Sequence, residues 1–142
     1  MKVIYHSKRT KRSVYLKDNG VVVKTGIQAI GSQEADIQRR AHAIGIAPKV
    51  FTANKDSIEM EFVGGWSLNE YLKMPGIDKP RIVRLVKIAE NTLYDNCISH
   101  GDFTGDNIRI TPDGRVVIID YGSAKLTGEP VLPRLRHHYN FT

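Results

Sequence analysis

The chain has 142 residues, 41% hydrophobic and 25% charged, with a formal charge of +6 and a pI near 9.5. That length suits one unit with a respectable core, and its single cysteine, Cys97, excludes an intrachain disulfide. No apolar run approaches the ~20 residues of a membrane span and the basic N-terminus lacks the apolar stretch of a secretion signal, so a cytoplasmic protein with polyanionic partners and no membrane role is expected.

In chain order, residues 7–13 read Ser-Lys-Arg-Thr-Lys-Arg-Ser. Lys8, Arg9, Lys11 and Arg12 suit phosphate groups, of a nucleotide or of an RNA backbone; a solvated charged turn is the alternative. Residues 14–17 and 21–24 flank Asp18-Asn19-Gly20 and predict a hairpin, with Asn-Gly supplying the positive φ values of a type I′ turn. Lys24 then ends a three-valine strand. Ser32 reads as the N-cap of a helix in which Ile37, Ala41 and Ile44 recur at helical spacing and which Gly45 stops. Glu34 falls in its first turn. By themselves these are a solvated strand lysine and a complement to the helix dipole. Residues 49–52 and 58–62 predict two strands about an Asn54-Lys55-Asp56 turn, leading into Glu61-Phe62-Val63-Gly64-Gly65, an interlobe connector or an edge strand ending in a glycine turn. Trp66 reads as a packing or rim residue, residues 67–73 as a short helix. Asp78-Lys79-Pro80 caps a longer helix whose apolar face is Ile82, Leu85, Val86, Ala89 and Leu93, with Cys97 expected to pack against a helix. There is no internal repeat, low-complexity linker or heptad array.

The most informative stretch is His100-Gly101-Asp102-Phe103-Thr104-Gly105-Asp106-Asn107. Two β-branched runs follow, 108–110 and 116–119, separated by Thr111-Pro112-Asp113-Gly114, and the second ends in Asp120-Tyr121-Gly122. Such a hairpin returns the end of its second strand to the level where the first began, which sets Asp120 beside Asn107. Each piece alone is ordinary, since an Asp at a strand end is commonly a cap. Together Asp102, Asn107 and Asp120 share one mouth. Crowded carboxylates raise one another's pKa unless a cation neutralises them, and a hard oxygen set suits Mg²⁺, which also takes phosphate oxygens as ligands. That donor set points to phosphoryl transfer.

This order of residues resembles the protein-kinase-like superfamily, whose signature pairs a catalytic-loop Asp with an Asn at the same spacing and a later Asp-Phe-Gly. His100-Gly101-Asp102 in place of His-Arg-Asp is similar to the atypical small kinases: the RIO kinases, the aminoglycoside phosphotransferases and the kinase of the KEOPS tRNA-modification complex. The local match is closest to the KEOPS kinase, with its HGD-L-T-x-x-N loop, and Gly45-Ile46-Ala47-Pro48-Lys49-Val50 resembles its GI-x-x-P-x-V stretch. The resemblance implies an α+β, two-lobed fold. Residues 1–62 would form an antiparallel N-lobe sheet with one helix, and residues 63–142 a minimal, truncated helical C-lobe carrying the catalytic loop and hairpin. It implies ATP and Mg²⁺, with Asp102 accepting the proton of the attacking hydroxyl and Asn107 and Asp120 holding the metal. Lys24 would contact the phosphates and pair with Glu34, Met60 would be the gatekeeper, and Glu61 and Val63 would contact the adenine. Gly101 takes the place of the arginine that reads a phosphorylated activation loop.

The implied activity is a minimal Ser/Thr protein kinase or phosphotransferase. The resemblance covers roughly residues 13–125, complete for nucleotide handling, with no counterpart of the activation segment, the Ala-Pro-Glu or the peptide-platform helices. A protein partner is therefore expected to supply substrate docking. The alternative is an ATPase or pseudokinase-like nucleotide-binding module acting through a partner protein or RNA. Residues 131–139 form a basic tail that packs on the C-lobe, reaches the mouth or docks a partner, and the adjacent His137-His138 make a poor metal set.

Overall fold

The computed structural model describes residues 2–6, 13–26 and 31–136; Lys8, Arg9, Lys11, Arg12, His137, His138 and Tyr139 lie outside them. The first half builds a five-stranded antiparallel sheet from β1 (Lys2–His6), β2 (Ser13–Leu16), β3 (Val21–Thr25), β4 (Val50–Ala53) and β5 (Ser57–Glu61), in the order β1-β2-β3-β5-β4. Between β3 and β4 runs helix α1 (Gly31–Ala43). Strand alternation puts Val22 and Lys24 of β3 on one buried face. Helical spacing puts Glu34, Ile37, Gln38 and Ala41 on one buried stripe of α1. A Schellman closure ends this helix: the Gly45 amide donates to the His42 carbonyl, the Ile46 amide to that of Ala41, and Gly45 has φ 85°.

The second half contains β6 (Trp66–Ser67), α2 (Leu68–Tyr71), α3 (Lys79–Asp95), β7 (Ile98–Ser99), β8 (Ile108–Ile110), β9 (Val116–Ile118) and β10 (Lys125–Leu126). β6-β8-β9 form one small sheet and β10-β7 another. Ser67 and Glu70 close a reciprocal capping box on α2, and the Asp78 carboxylate accepts from the Arg81 amide at the start of α3. The apolar face of α3 buries Ile82, Val86, Ala89 and Leu93. One hydrophobic cluster joins the halves: Ile37, Ala41, Ile46 and Ala47 pack with Ala89, Leu93, Ile98, Ile118 and Tyr121. The Ile118 amide donates to the Ile46 carbonyl at 2.8 Å across the same junction.

The α+β class and the antiparallel N-terminal sheet with one helix are as the sequence implies. Several local expectations are corrected. The β2–β3 turn is not type I′, because Gly20 alone has positive φ there; Asn19 instead accepts the Val21 amide through its side chain at 3.1 Å. Ser32 lies within α1, which starts at Gly31, and the helix expected over 67–73 is confined to Leu68–Tyr71 with Ser67 as its cap. Independently of these corrections, Cys97 follows Asn96, the C-cap of α3, and adopts φ 64°.

Candidate active site

Lys24 is the meeting point of three distant segments. Its Nζ donates to Glu34 Oε2 at 2.7 Å and to Asp120 Oδ1 at 3.1 Å. Lys24 is 7% exposed and Glu34 5%, so this is a buried pair, reached because β3 and α1 turn their lysine and glutamate toward each other. Asp120 arrives from the end of the β8–β9 hairpin in a left-handed backbone conformation, φ 62°. That region is disfavoured for residues with a Cβ by roughly 1–2 kcal/mol, and here the Gly122 amide donates to Asp120 Oδ1 at 3.2 Å, a turn that holds it. Burial acts to raise the Asp120 pKa, but the charge and hydrogen bond of Lys24, with the Gly122 amide, hold its carboxyl below the usual carboxylate range.

The hairpin does return to its start. The Ile119 amide donates to the Asn107 carbonyl at 2.9 Å, which fixes Asp120 next to Asn107. Asn107 Nδ2 in turn donates to both the backbone oxygen and Oδ2 of Asp102, each at 3.0 Å, so the amide orients the aspartate. Asp106 of the same loop accepts from Asn69 at 2.9 Å, tying the loop to α2.

His100 and Gly101 hold this loop in ways the motif alone does not reveal. His100 is buried; its Nε2 donates to the Ile119 carbonyl at 2.9 Å and its Nδ1 accepts the Asp102 amide at 3.2 Å, contacts that define a neutral imidazole. Burial lowers its pKa, against the opposing pull of the Ile119 carbonyl and of the Asp120 and Asp102 charges. Its ring stands edge-on to Tyr121, centroids 5.1 Å apart, and to Phe103 at 6.0 Å. Tyr121 is buried, its hydroxyl has no hydrogen-bond partner among the described residues, and burial raises its pKa. At Gly101 φ is 84°, and a Cβ would come within 2.3 Å of the Ser123 carbonyl oxygen. Glycine is required here by backbone contact, so the arginine of the ordinary motif has no room. A sequence signal existed in the Gly itself, but the neighbour that forbids a side chain is visible only in the fold.

Met60 is half-buried on β5, paired with Val22 and Val50, and its sulfur meets Gln38 Nε2 at 3.5 Å. Glu61 is the last paired residue of β5, its amide donating to the Lys49 carbonyl, and Val63 follows beyond the sheet. A cavity of about 230 Å³ bounded by His42, Glu61, Val63 and Arg115 opens by this segment, but Lys24, Asp102 and Asp120 do not line it. It is separate from the cluster of Lys24, Glu34 and Asp120.

The described residues contain no cluster of three or more His, Cys, Asp or Glu side chains able to hold a metal. The oxygen donors at the mouth nevertheless fit magnesium, which needs only one or two carboxylates beside water and phosphate. Asp102 Oδ1, Asn107 Oδ1 and Asp120 Oδ2 carry no hydrogen bond within the described residues, whereas their sister atoms are engaged. Asn107 and Asp120 are thus able to hold a hard cation.

With this geometry in view, the family described as the RIO domain matches residues 4–131. The chain belongs to the RIO domain family. That membership places it in the atypical-kinase group of the protein-kinase-like superfamily. The RIO domain chain is also similar to mitogen-activated protein kinase kinase kinase 19 of Mus musculus, 31% identical over 100 residues, which is 66% of this chain and 8% of that protein. The Homo sapiens protein of the same name is 28% identical over 100 residues, with the same coverage. The matched region thus spans 8% of the length of these curated relatives. No helix among the described residues is long and apolar enough to cross a membrane.

Proposed function

We propose that this RIO domain chain is a minimal atypical Ser/Thr kinase or phosphotransferase that moves the γ-phosphate of ATP to a hydroxyl. Residues 1–62 serve as the N-lobe and residues 63–142 as the C-lobe, with nucleotide between them. The observation that carries the reading is the contact of Lys24 with both Glu34 and Asp120, which brings β3, α1 and the end of the second hairpin to one point. Glu34 holds the Lys24 ammonium in place to meet phosphate oxygens, Met60 borders the adenine as gatekeeper, and the backbone of Glu61 and Val63 contacts it. Asp102, oriented by Asn107, accepts the proton of the attacking hydroxyl as its oxygen bonds to the γ-phosphorus; the bond from that phosphorus to the β–γ bridging oxygen breaks, and ADP leaves with the electron pair. Magnesium, held by Asn107 and Asp120, would neutralise charge on the β- and γ-phosphate oxygens.

A second reading is a nucleotide-binding module or ATPase working through a protein or RNA partner. What favours it is that the described residues after Gly122 form only β10 and a 3₁₀ turn at Pro133–Leu135, with no helix to seat a peptide. Radiolabelled ATP with wild type and Asp102→Asn separates the two. Label transferred to protein that falls by about 100-fold or more in the variant, with MgATP binding retained, is the result expected of a kinase. Phosphate release without labelled protein indicates an ATPase, and binding without turnover indicates a module; failure to bind MgATP would overturn both.

A further inference from the structure

α3 is charged against its own dipole. Its first half carries Lys79, Arg81, Arg84 and Lys87 with no acid among residues 79–89, while its carboxylates, Glu90 and Asp95, lie in the second half. The N-terminus of a helix is partially positive, so Lys79 and Arg81 in the first turn and Asp95 in the last oppose the macrodipole, while Arg81, Arg84 and Lys87, three apart, repel one another. All four cations are exposed, and none is paired with a carboxylate among the described residues. The acid just before them, Asp78, is committed to the Arg81 amide as the cap. A local rule broken this consistently marks a surface shaped by something other than the stability of the helix.

The same face carries exposed aliphatic groups. Arg81, Arg84 and Ile88 share the outward side of α3, and Ile88 is 61% exposed. Further along that side Arg136 donates to Asn91 at 2.7 Å and to Asp95 at 2.6 Å and lies over the Tyr94 ring, clipping residues 131–136 onto the helix. Leu132 and Leu135 of the clipped segment are 52% and 67% exposed.

We propose that the outer face of α3, together with residues 131–136, is a docking surface for an acidic amphipathic segment of a partner protein. Carboxylates of the partner pair with Arg81, Arg84 and Lys87, and its aliphatic side chains cover Ile88, Leu132 and Leu135. The docked acids offset the mutual repulsion of these cations. Nucleic acid fits this face less well, because single strands bind basic grooves by stacking bases on aromatic rings, and the ring here, Tyr94, lies under Arg136.

The test is fluorescence anisotropy on the whole chain with three labelled probes: a synthetic peptide of repeated Glu-Leu-Glu-Glu-Ile-Leu, the same peptide with serine at every aliphatic position, and an oligouridylate RNA. The aliphatic peptide is expected to bind most tightly, weakened about tenfold or more by Arg81→Glu/Arg84→Glu/Lys87→Glu and severalfold by Ile88→Ser. Because all three side chains are exposed, the melting temperature of the triple variant is expected within a few degrees of that of wild type, which shows that lost binding is not lost folding. Absence of peptide binding, or binding untouched by the reversal, overturns the proposal. So does equal affinity for the serine peptide, or tighter binding of the RNA with the same sensitivity to the reversal.

Discussion

A lysine at the end of a valine strand is ordinarily solvated, yet Lys24 is buried because the two-residue period of β3 places it with Val22 on the face that α1 covers. Lys24→Met strands the buried Glu34 carboxylate and should lower stability by about 3–5 kcal/mol in urea titration, whereas Lys24→Met/Glu34→Leu should recover most of that loss. Proton linkage at the other end of the network has a defined sign. His100 has a folded pKa below its ordinary 6.5, so the unfolded chain protonates first and stability falls as pH drops through 6.5 toward the folded value. Asp120 has a folded pKa below 3.8, so its contribution is present above that value and is lost as pH falls through the lower, folded one. Melting temperature against pH should therefore decline in two stages, the first absent in His100→Gln and the second reduced in Asp120→Asn, since hydrogen bonds also hold the Glu70 and Asp113 carboxyls below their ordinary values. Gly101→Ala meets both a positive φ and the Ser123 carbonyl, and should destabilise by more than the ~1–2 kcal/mol of the conformational penalty alone and abolish MgATP binding.

Among the elements, α3 was the most legible in the sequence, because its cap, its proline and its apolar face are all local features. The two-residue strands β6, β7 and β10 had no such signal, since segments that short are defined by the partner they pair with. The end of α3 carries a backbone feature with no local signal. Cys97 continues the apolar pattern but sits in a left-handed turn past Asn96, a conformation that suits glycine. Cys97→Gly is expected to stabilise the chain by about 0.5–1 kcal/mol, the relief of strain exceeding the added freedom of the unfolded chain, as a shift of the denaturation midpoint would show.

At the scale of the whole molecule, the largest hydrophobic cluster runs across both halves. Residues of α1 and of the Ile46-Ala47 turn pack in one cluster with α3, β7 and β9, and the Ile118–Ile46 hydrogen bond crosses the same junction. Each half has a smaller cluster of its own, Ala35, Val50 and Ile58 in the first and Leu68, Ile82, Val86, Ile108 and Ile110 in the second, but the largest one needs both. Calorimetry should therefore show one transition, with calorimetric and van't Hoff enthalpies equal; two resolved transitions would mean that the lobes fold independently.

Residue types and spacing by themselves determined the hairpins, the helix stripes and the order Asp102, Asn107, Asp120, because turn chemistry and side-chain period are properties of a few neighbouring residues. The adjacency of Asn107 and Asp120 followed from that local geometry, and the fold has it. Only the tertiary structure decided that Lys24 meets Glu34 and Asp120 at one point, that His100 is neutral and braces the loop, and that Gly101 cannot carry a side chain. Those facts depend on how segments far apart in the chain approach one another, and burial and close backbone contact are set by that approach.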